Sequence, residues 1–126
     1  MRLLLDTHAV LWWLKGVPKL SKTAEQAIAD RGNELLASVV SAYEIGLKVR
    51  AGKLDGEVER EFPLYLDRAD IQILPLSLAH MSIGAGLDWA HRDPWDRLIL
   101  AQSLLEDCKL VTVDRSFAGS PAEVLW

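Results

Sequence analysis

Short apolar runs alternate along this chain with segments that have the composition of helices. Each run stops abruptly at a polar or turn-forming residue, which is typical of a buried strand. Such runs occur at residues 2–5, 35–38, 71–74, 110–113 and 124–126. Short, wholly apolar strands separated by helices predict a parallel sheet that is covered by helices on both faces. We therefore expect one α/β domain over residues 1–126, with a sheet of four to five strands.

Capping residues mark where the predicted helices begin. Asp93 has the character of an N-cap, with Pro94 at the first helical position, where its missing N–H has no consequence. Ser41 and Glu44 have the spacing of a capping box, which predicts a helix that begins there. The predicted helices span residues 8–15, 21–30, 41–50, 57–69, 77–84 and 94–105.

Acidic residues occur where this sheet would bring them together. Asp6 ends the first predicted strand, and Asp114 ends the fourth. Glu44 opens the helix after the second strand, and Asp96 lies in the first turn of the helix before the fourth. In open sheets of this kind the functional site lies beyond the carboxyl ends of the strands. The four acids can therefore converge on one rim of the sheet.

Four carboxylates on one rim require a counter-charge. Two unit charges roughly 4 Å apart repel by about 1 kcal/mol in water and by about 4 kcal/mol at an effective dielectric constant near 20. A divalent cation removes this repulsion, and a site of oxygen ligands without histidine or cysteine selects hard ions such as Mg²⁺ or Mn²⁺. The chemistry that most needs such a site is phosphodiester hydrolysis by metal-activated water. We therefore expect a metal-dependent nuclease.

The overall charge argues against a protein that holds nucleic acid by a broad basic surface. The 126 residues carry a net charge of −4, and the pI is about 5.3. This charge is compatible with an enzyme that contacts a few phosphates locally. Four basic residues are candidates for flanking the acids and contacting a substrate: Arg97, Arg115, Lys48 and Arg50.

Cellular location is constrained by three features of the chain. Cys108 is the only cysteine, so no intrachain disulfide forms, and a reducing cytoplasm is favoured. The opening apolar run stops at Asp6, which makes it too short for a signal peptide. No stretch approaches the roughly 20 apolar residues that span a bilayer. We expect a cytoplasmic protein without membrane association.

Several of these residues also have purely structural explanations. An aspartate at an N-cap and another in the first turn each stabilise a helix by roughly 0.3–1 kcal/mol. This stabilisation explains the presence of Asp93 almost entirely and that of Asp96 only in part. The capping box accounts for Glu44 nearly as well as metal binding does. Thr112 lies two residues before the last acid, on the same side of the predicted strand. It is either an ordinary β-branched strand residue or a hydrogen-bond partner for a carboxylate or a water.

Four groups of residues occur in one order along the chain. They are Leu4–His8; Ser38 and Ser41–Ile45 with Lys48 and Gly52–Leu54; His91–Leu98 with Ala101 and Gln102; and Thr112–Asp114 with Phe117. This set resembles the PIN-domain ribonucleases, and within them the VapC toxins of type II toxin–antitoxin pairs. It runs from end to end of the chain in the family's order and spacing. Trp95 stands where the family more usually has Phe, and Asp88 where Pro is expected.

The resemblance implies a PIN-like domain that cleaves RNA endonucleolytically. It implies the residues of the site, with Asp6, Glu44, Asp96 and Asp114 binding Mg²⁺ or Mn²⁺, Asp93 as an additional acid and Thr112 as an auxiliary polar residue. It also implies a homodimer and a VapB-like antitoxin, whose C-terminal segment occupies a groove near the active site.

Two other classes of protein remain open from the residues alone. A signalling receiver also has an acidic Mg²⁺ pocket at a parallel sheet, where it accepts a phosphoryl group. Against it, no strand after Asp114 ends in a lysine, and no acid closes the strand at 71–74. A catalytically silent binding module is the other class. Trp12 and Trp13 are adjacent on a predicted helix and cannot both face inward, so a partner could cover the exposed one.

Overall fold

The computed structural model describes all 126 residues and contains a five-stranded parallel sheet with six helices, which confirms the predicted α/β class. The strands are β1 (Arg2–Leu5), β2 (Glu34–Ser38), β3 (Ile71–Leu74), β4 (Lys109–Val111) and β5 (Val124–Leu125). The helices are α1 (Thr7–Lys15), α2 (Lys22–Ala29), α3 (Val39–Arg50), α4 (Gly56–Arg68), α5 (Leu78–Gly86) and α6 (Pro94–Leu105). The strand order is β3-β2-β1-β4-β5. None of the helices combines the length and apolar character that crossing a bilayer would require.

The central strand β1 is apolar from Leu3 to Leu5 because both of its faces are buried there. Leu3 and Leu5 of β1 point into a core formed with helices α1 to α4, whereas Leu4 points into a second core formed with α6. All three leucines are fully buried, and burial of each such side chain stabilises the fold by roughly 1.5–3 kcal/mol. Helix α5 packs on the outside of α6. The chain therefore has helices on both faces, as the strand pattern predicts.

Polar residues follow the strands at one edge of this sheet. Asp6 follows β1, Ser38 ends β2 and Thr112 follows β4. Helix α6 returns from this edge toward the opposite one, because it precedes the parallel strand β4, and so its first turn, with Asp96, begins at the same edge. The carboxyl edge of the sheet therefore carries the polar residues of the predicted rim.

Strand β4 ends two residues earlier than predicted. It stops at Val111, and Asp114 instead begins a short 3-10 helix, Arg115–Phe117. The reason is that the neighbouring strands β1 and β5 end opposite Val111, so residues beyond it have no strand to pair with. The chain turns there, and the N–H of Asp114 donates to Thr112 Oγ1 at 3.0 Å.

The predicted capping box at Ser41 and Glu44 is wrong. Helix α3 begins at Val39, and the side chain of Ser38 is its N-cap, accepting from the N–H of Val40 at 3.0 Å. Ser41 is instead buried inside the helix. Because Ser38 supplies the cap, Glu44 lies in the second turn of α3 with no capping role.

Asp93 is the N-cap of α6, and its Oδ1 accepts from the N–H groups of Trp95 and Asp96 at 2.9 and 3.1 Å. We expect Asp93→Ala to lower the free energy of unfolding by about 1 kcal/mol, because two N–H groups lose their partner. Denaturant unfolding would measure this change. Asp93→Ser retains a capping oxygen and should recover most of the loss. Equal stability of Asp93→Ala and the natural protein would contradict the capping role.

Candidate active site

Asp6 is the most buried of the acids, because it lies directly after the central strand β1. The residue is 7% exposed. Its Oδ1 accepts from the N–H of Ala9 at 2.8 Å, which makes Asp6 the N-cap of α1, and its Oδ2 accepts from the hydroxyl of Thr112. Burial raises the pKa of Asp6, and the charge of Asp114 adds to the shift, while the two hydrogen bonds oppose it. A negative charge is therefore held in the protein interior by two donors.

Glu44 faces the start of α1 across a short chain of hydroxyl groups. Thr7 Oγ1 donates to Glu44 Oε1 at 2.8 Å and lies 2.9 Å from Ser41 Oγ. A hydroxyl has one proton to give, so Ser41 donates to Thr7 and Thr7 donates to Glu44. Burial raises the pKa of Glu44, and repulsion by Asp96 adds to this shift. The two hydroxyl groups therefore fix the orientation of the Glu44 carboxylate, whose negative charge is destabilised by burial and by Asp96.

Asp96 is held by His91, a loop residue to which the sequence analysis gave no role of its own. His91 Nε2 lies 2.7 Å from Asp96 Oδ2. Burial raises the pKa of Asp96, and the neighbouring charge of Asp93 also raises it, whereas His91 opposes the shift. Asp93 thus caps the helix and also adds negative charge to the site. His91 is the residue that sequence reasoning missed, because its contact with Asp96 depends on the path of the loop before α6.

Thr112 connects the first and last acids of the chain. Its hydroxyl donates to Asp6 Oδ2 and accepts from the N–H of Asp114, and the residue is 2% exposed. Asp114 itself is exposed, and its Oδ1 accepts from the N–H and the hydroxyl of Ser116 at 2.9 and 2.7 Å. Burial alone would raise the pKa of Asp114, but the bonds from Ser116 outweigh it and lower the pKa.

The four acids lie on one rim, and each of them is repelled by at least one of the others. Glu44 is repelled by Asp96, Asp96 by Asp114, and Asp6 by Asp114. Their oxygens are not gathered around one point, because no three His, Cys, Asp or Glu side chains lie close enough to hold a single ion as they stand. Each carboxylate is instead held by its own donor from the protein. The rim is therefore a set of separately positioned acids.

The chemistry of this donor set nevertheless fits a hard divalent cation. Glu44 Oε2, Asp96 Oδ1 and Asp114 Oδ2 accept no hydrogen bond from the protein. Two of these acids have a raised pKa because burial leaves their charge poorly compensated. Carboxylate oxygens with uncompensated charge are the ligands that Mg²⁺ and Mn²⁺ prefer.

The basic residues predicted to contact substrate have different surroundings. Lys48 Nζ lies 3.3 Å from His8 Nε2, beside Glu44. Arg115 is exposed directly after Asp114 and has no ion-pair partner. Arg50 points away from the rim, toward α4, where it pairs with Glu59 at 2.7 Å. Lys48 and Arg115 therefore remain available at the rim, whereas Arg50 does not.

Arg97 was also expected to contact substrate, and the structure gives it another role. Its guanidinium donates to the backbone oxygens of Gly84, Leu87, Trp89 and His91 at 2.7–3.0 Å. These bonds use four of its five N–H groups, so little remains for a phosphate. Arg97 holds the loop between α5 and α6, and thereby positions His91 against Asp96.

Replacement of Arg97 by lysine should release this loop. A lysine ammonium cannot reach four separated carbonyl groups at once, so we expect Arg97→Lys to lower the free energy of unfolding by about 2 kcal/mol. Backbone hydrogen exchange in residues 84–91 should rise with it. Arg92→Lys is the matched control, since Arg92 is exposed in the same segment and makes no hydrogen bond. Unchanged exchange in Arg97→Lys would show that the clamp does not order the loop.

Neutralisation of Glu44 should stabilise the metal-free protein. Its pKa is raised in the folded state, so its ionisation opposes folding at neutral pH, and this effect disappears below about pH 4, where the carboxyl is neutral in both states. We expect Glu44→Gln, in a chelator at pH 7, to gain roughly 0.5–2 kcal/mol of unfolding free energy. Thermal unfolding across this pH range would measure the gain.

The gain from Glu44→Gln should shrink as the pH falls. Glu61→Gln, at a half-exposed position in the middle of α4, is the control and should change little. A gain that grows toward low pH would contradict the assigned cause.

Comparison with known proteins supports one family. Among curated protein sequences, none matches the chain. Three solved structures resemble it. VapBC2 from Rickettsia felis bound to promoter DNA is 18% identical, with a TM-score of 0.74, covering 98% of this chain and 96% of that one. A toxin–antitoxin complex from Klebsiella pneumoniae is 21% identical, with a TM-score of 0.67, covering 94% and 92%. FitAcB from Neisseria gonorrhoeae is 19% identical, with a TM-score of 0.66, covering 97% and 95%.

At these identities the solved structures show a shared fold. The family is shown by the model of the PIN domain, which matches residues 3–120. Nearly the whole chain lies within this match, including all four acids of the rim. The chain belongs to the PIN-domain family.

Proposed function

We propose that this protein is a divalent-metal-dependent endoribonuclease and the toxin of a type II toxin–antitoxin pair, similar to VapC. The observation that carries the proposal is the rim of four acids in a PIN domain, three of which keep an oxygen that no protein group satisfies. Such a rim is suited to binding a metal ion and approaching a phosphodiester. The family assignment leaves the phosphoacceptor alternative without support.

The residues that would hold Mg²⁺ or Mn²⁺ are Asp6, Glu44, Asp96 and Asp114. The chemistry that such an ion supplies is activation of water for attack on phosphorus. The protein's own groups orient the ligands. Thr112 fixes Asp6, Thr7 fixes Glu44, and His91 fixes Asp96. Partners of this kind hold ligand carboxylates in one orientation.

The basic residues that remain at the rim, Lys48 and Arg115, would contact the substrate. Lys48 lies beside Glu44, and Arg115 directly follows Asp114, so the two basic groups adjoin different members of the acid set. Each can approach a phosphate next to the scissile one. This arrangement lets an acidic protein bind a polyanion locally, without a broad basic surface.

The proposed partner is a VapB-like antitoxin. Structures of a toxin–antitoxin complex and of VapBC2 resemble this fold. A recess of about 350 Å³ lies between the last turns of α1, the turn that follows and α2, and its apolar lining residues are Trp12, Trp13, Val17 and Leu20. Both indoles are half-buried, so neither is the exposed tryptophan that the sequence predicted. We infer that the C-terminal segment of the antitoxin covers this recess, and that the toxin forms a homodimer in the cytoplasm.

Cleavage of RNA with Mg²⁺ or Mn²⁺, compared with cleavage in a chelator, tests the activity. We expect cleavage of candidate tRNA or ribosomal RNA substrates only when the metal is present. Asp6→Asn and Asp96→Asn should each reduce the rate by at least about 100-fold, because loss of an outer partner alone can reduce metal affinity or activity by 10–100-fold.

The matched control for these variants is Asp67→Asn, at an exposed carboxylate on α4 that makes no side-chain hydrogen bond. It should cleave as the natural protein does. Full activity of Asp6→Asn, or cleavage that persists in the chelator, would overturn the proposal.

A further inference from the structure

We propose that Trp89 is a positioning residue for the acidic rim. Its indole contacts the rings of both His91 and Phe117. The first ring belongs to the hydrogen-bond partner of Asp96, and the second belongs to the short 3-10 helix that Asp114 begins. Through these two contacts the indole sets the spacing between two acids of the rim. This inference rests on the proposed metal-dependent function and adds a residue that lies outside the acid set.

The contact with His91 connects the indole to the start of α6. The centroids of the Trp89 and His91 rings are 4.8 Å apart, and their planes are tilted by 46°. His91 Nε2 in turn lies 2.7 Å from Asp96 Oδ2. One nitrogen of Arg97 donates to the backbone oxygens of both Trp89 and His91, at 2.8 and 2.9 Å, and so fixes the backbone that carries the two rings. A shift of the indole would therefore move the imidazole that orients Asp96.

The contact with Phe117 connects the indole to the other part of the rim. These two rings stack with their centroids 5.4 Å apart and their planes inclined by 30°. Phe117 is buried in the second core, against which Trp89 also packs. The N–H of Phe117 donates to the backbone oxygen of Asp114 at 3.3 Å, within the 3-10 helix. The buried phenyl ring therefore anchors the turn that carries Asp114, and the indole packs on this anchor.

Side-chain packing joins these two parts of the rim, because hydrogen bonds do not. None connects residues 87–98 with residues 112–117. Asp96 and Asp114 are close enough to repel each other, so their charges favour a wider spacing. Aromatic rings in contact keep preferred distances and tilts, which resists such a change. A rigid indole between the two elements therefore holds the acids at one separation.

Two other roles of Trp89 would leave the acids independent of it. The indole could serve only to cover the second core, as the side chain of Leu87 does in the same loop. It could instead contact a substrate from its half-buried position. Neither role requires both ring contacts, and neither predicts an effect on metal binding when RNA is absent. Metal binding without RNA therefore separates these roles from the positioning role.

The test is Mn²⁺ binding in the absence of RNA, with free Mn²⁺ measured by electron paramagnetic resonance. Trp89→Leu keeps an apolar side chain over the core but removes the flat ring. We expect it to weaken Mn²⁺ binding by roughly 10-fold, because loss of the direct partner of a metal ligand costs about 10–100-fold and Trp89 acts through such a partner. Trp89→Phe keeps a ring and should restore most of the affinity. Both variants should fold, since Trp89 is only half-buried.

Leu87→Ala is the matched control. It removes packing from the same loop and the same core, keeps the backbone oxygen that accepts from Arg97, and leaves the three rings in place. It should lower the melting temperature as Trp89→Leu does, yet bind Mn²⁺ as the natural protein does. Backbone hydrogen exchange supplies a second measurement on the metal-free protein. Exchange in residues 114–117 should rise in Trp89→Leu and stay unchanged in Leu87→Ala.

Three results would overturn the positioning role. Unchanged Mn²⁺ affinity and unchanged exchange in Trp89→Leu would do so and would leave the metal-dependent function intact. Equal losses of affinity in Trp89→Leu and Leu87→Ala would assign the effect to a general loosening of the loop. Absence of both Mn²⁺ binding and RNA cleavage in the natural protein would overturn the proposed function and the positioning role together.

Discussion

The carboxylate of Asp6 connects the central strand of the sheet with the acidic rim, and the arrangement of both depends on its hydrogen bonds. It accepts from the N–H of Ala9, in the first turn of α1, and from the hydroxyl of Thr112, which follows β4. Thr112 also accepts from the N–H of Asp114, so the first acid of the chain determines where the last one lies. A buried carboxylate is unfavourable unless donors surround it. The same bonds that make its burial tolerable therefore assemble the site from residues over one hundred positions apart.

The sheet and its rim could be predicted from the sequence because local pattern and tertiary environment agree there. Leu3, Leu4 and Leu5 alternate between two cores, so a strand buried on both faces must be wholly apolar, and the change to Asp6 marks its end. The cap at Asp93 was likewise predictable, since a cap acts within a few residues of chain. Membership of the PIN family agrees with this part of the prediction.

Contacts that depend on the path of a distant segment could not be predicted. The spacing of Ser41 and Glu44 satisfies a capping box, but Ser38 supplies the cap, because the chain enters the helix directly from β2. Arg97 has the charge expected of a residue that contacts phosphate. Its long side chain instead donates to four backbone carbonyl oxygens of the segment before α6. The contact of His91 with Asp96 follows from that loop and so was missed as well.

Arg97 contacts the loop only through main-chain oxygens, and this has a consequence for how the rim can diversify. Every amino acid supplies a backbone carbonyl group, so these bonds depend on the path of the backbone. They do not depend on which side chains the loop carries. Asp88 and Ala90 project from this segment into solvent, and exchanging them leaves every acceptor of the clamp in place. Substitutions in this loop can therefore change the side chains beside the site, while the bonds from Arg97 keep the backbone of the loop in place.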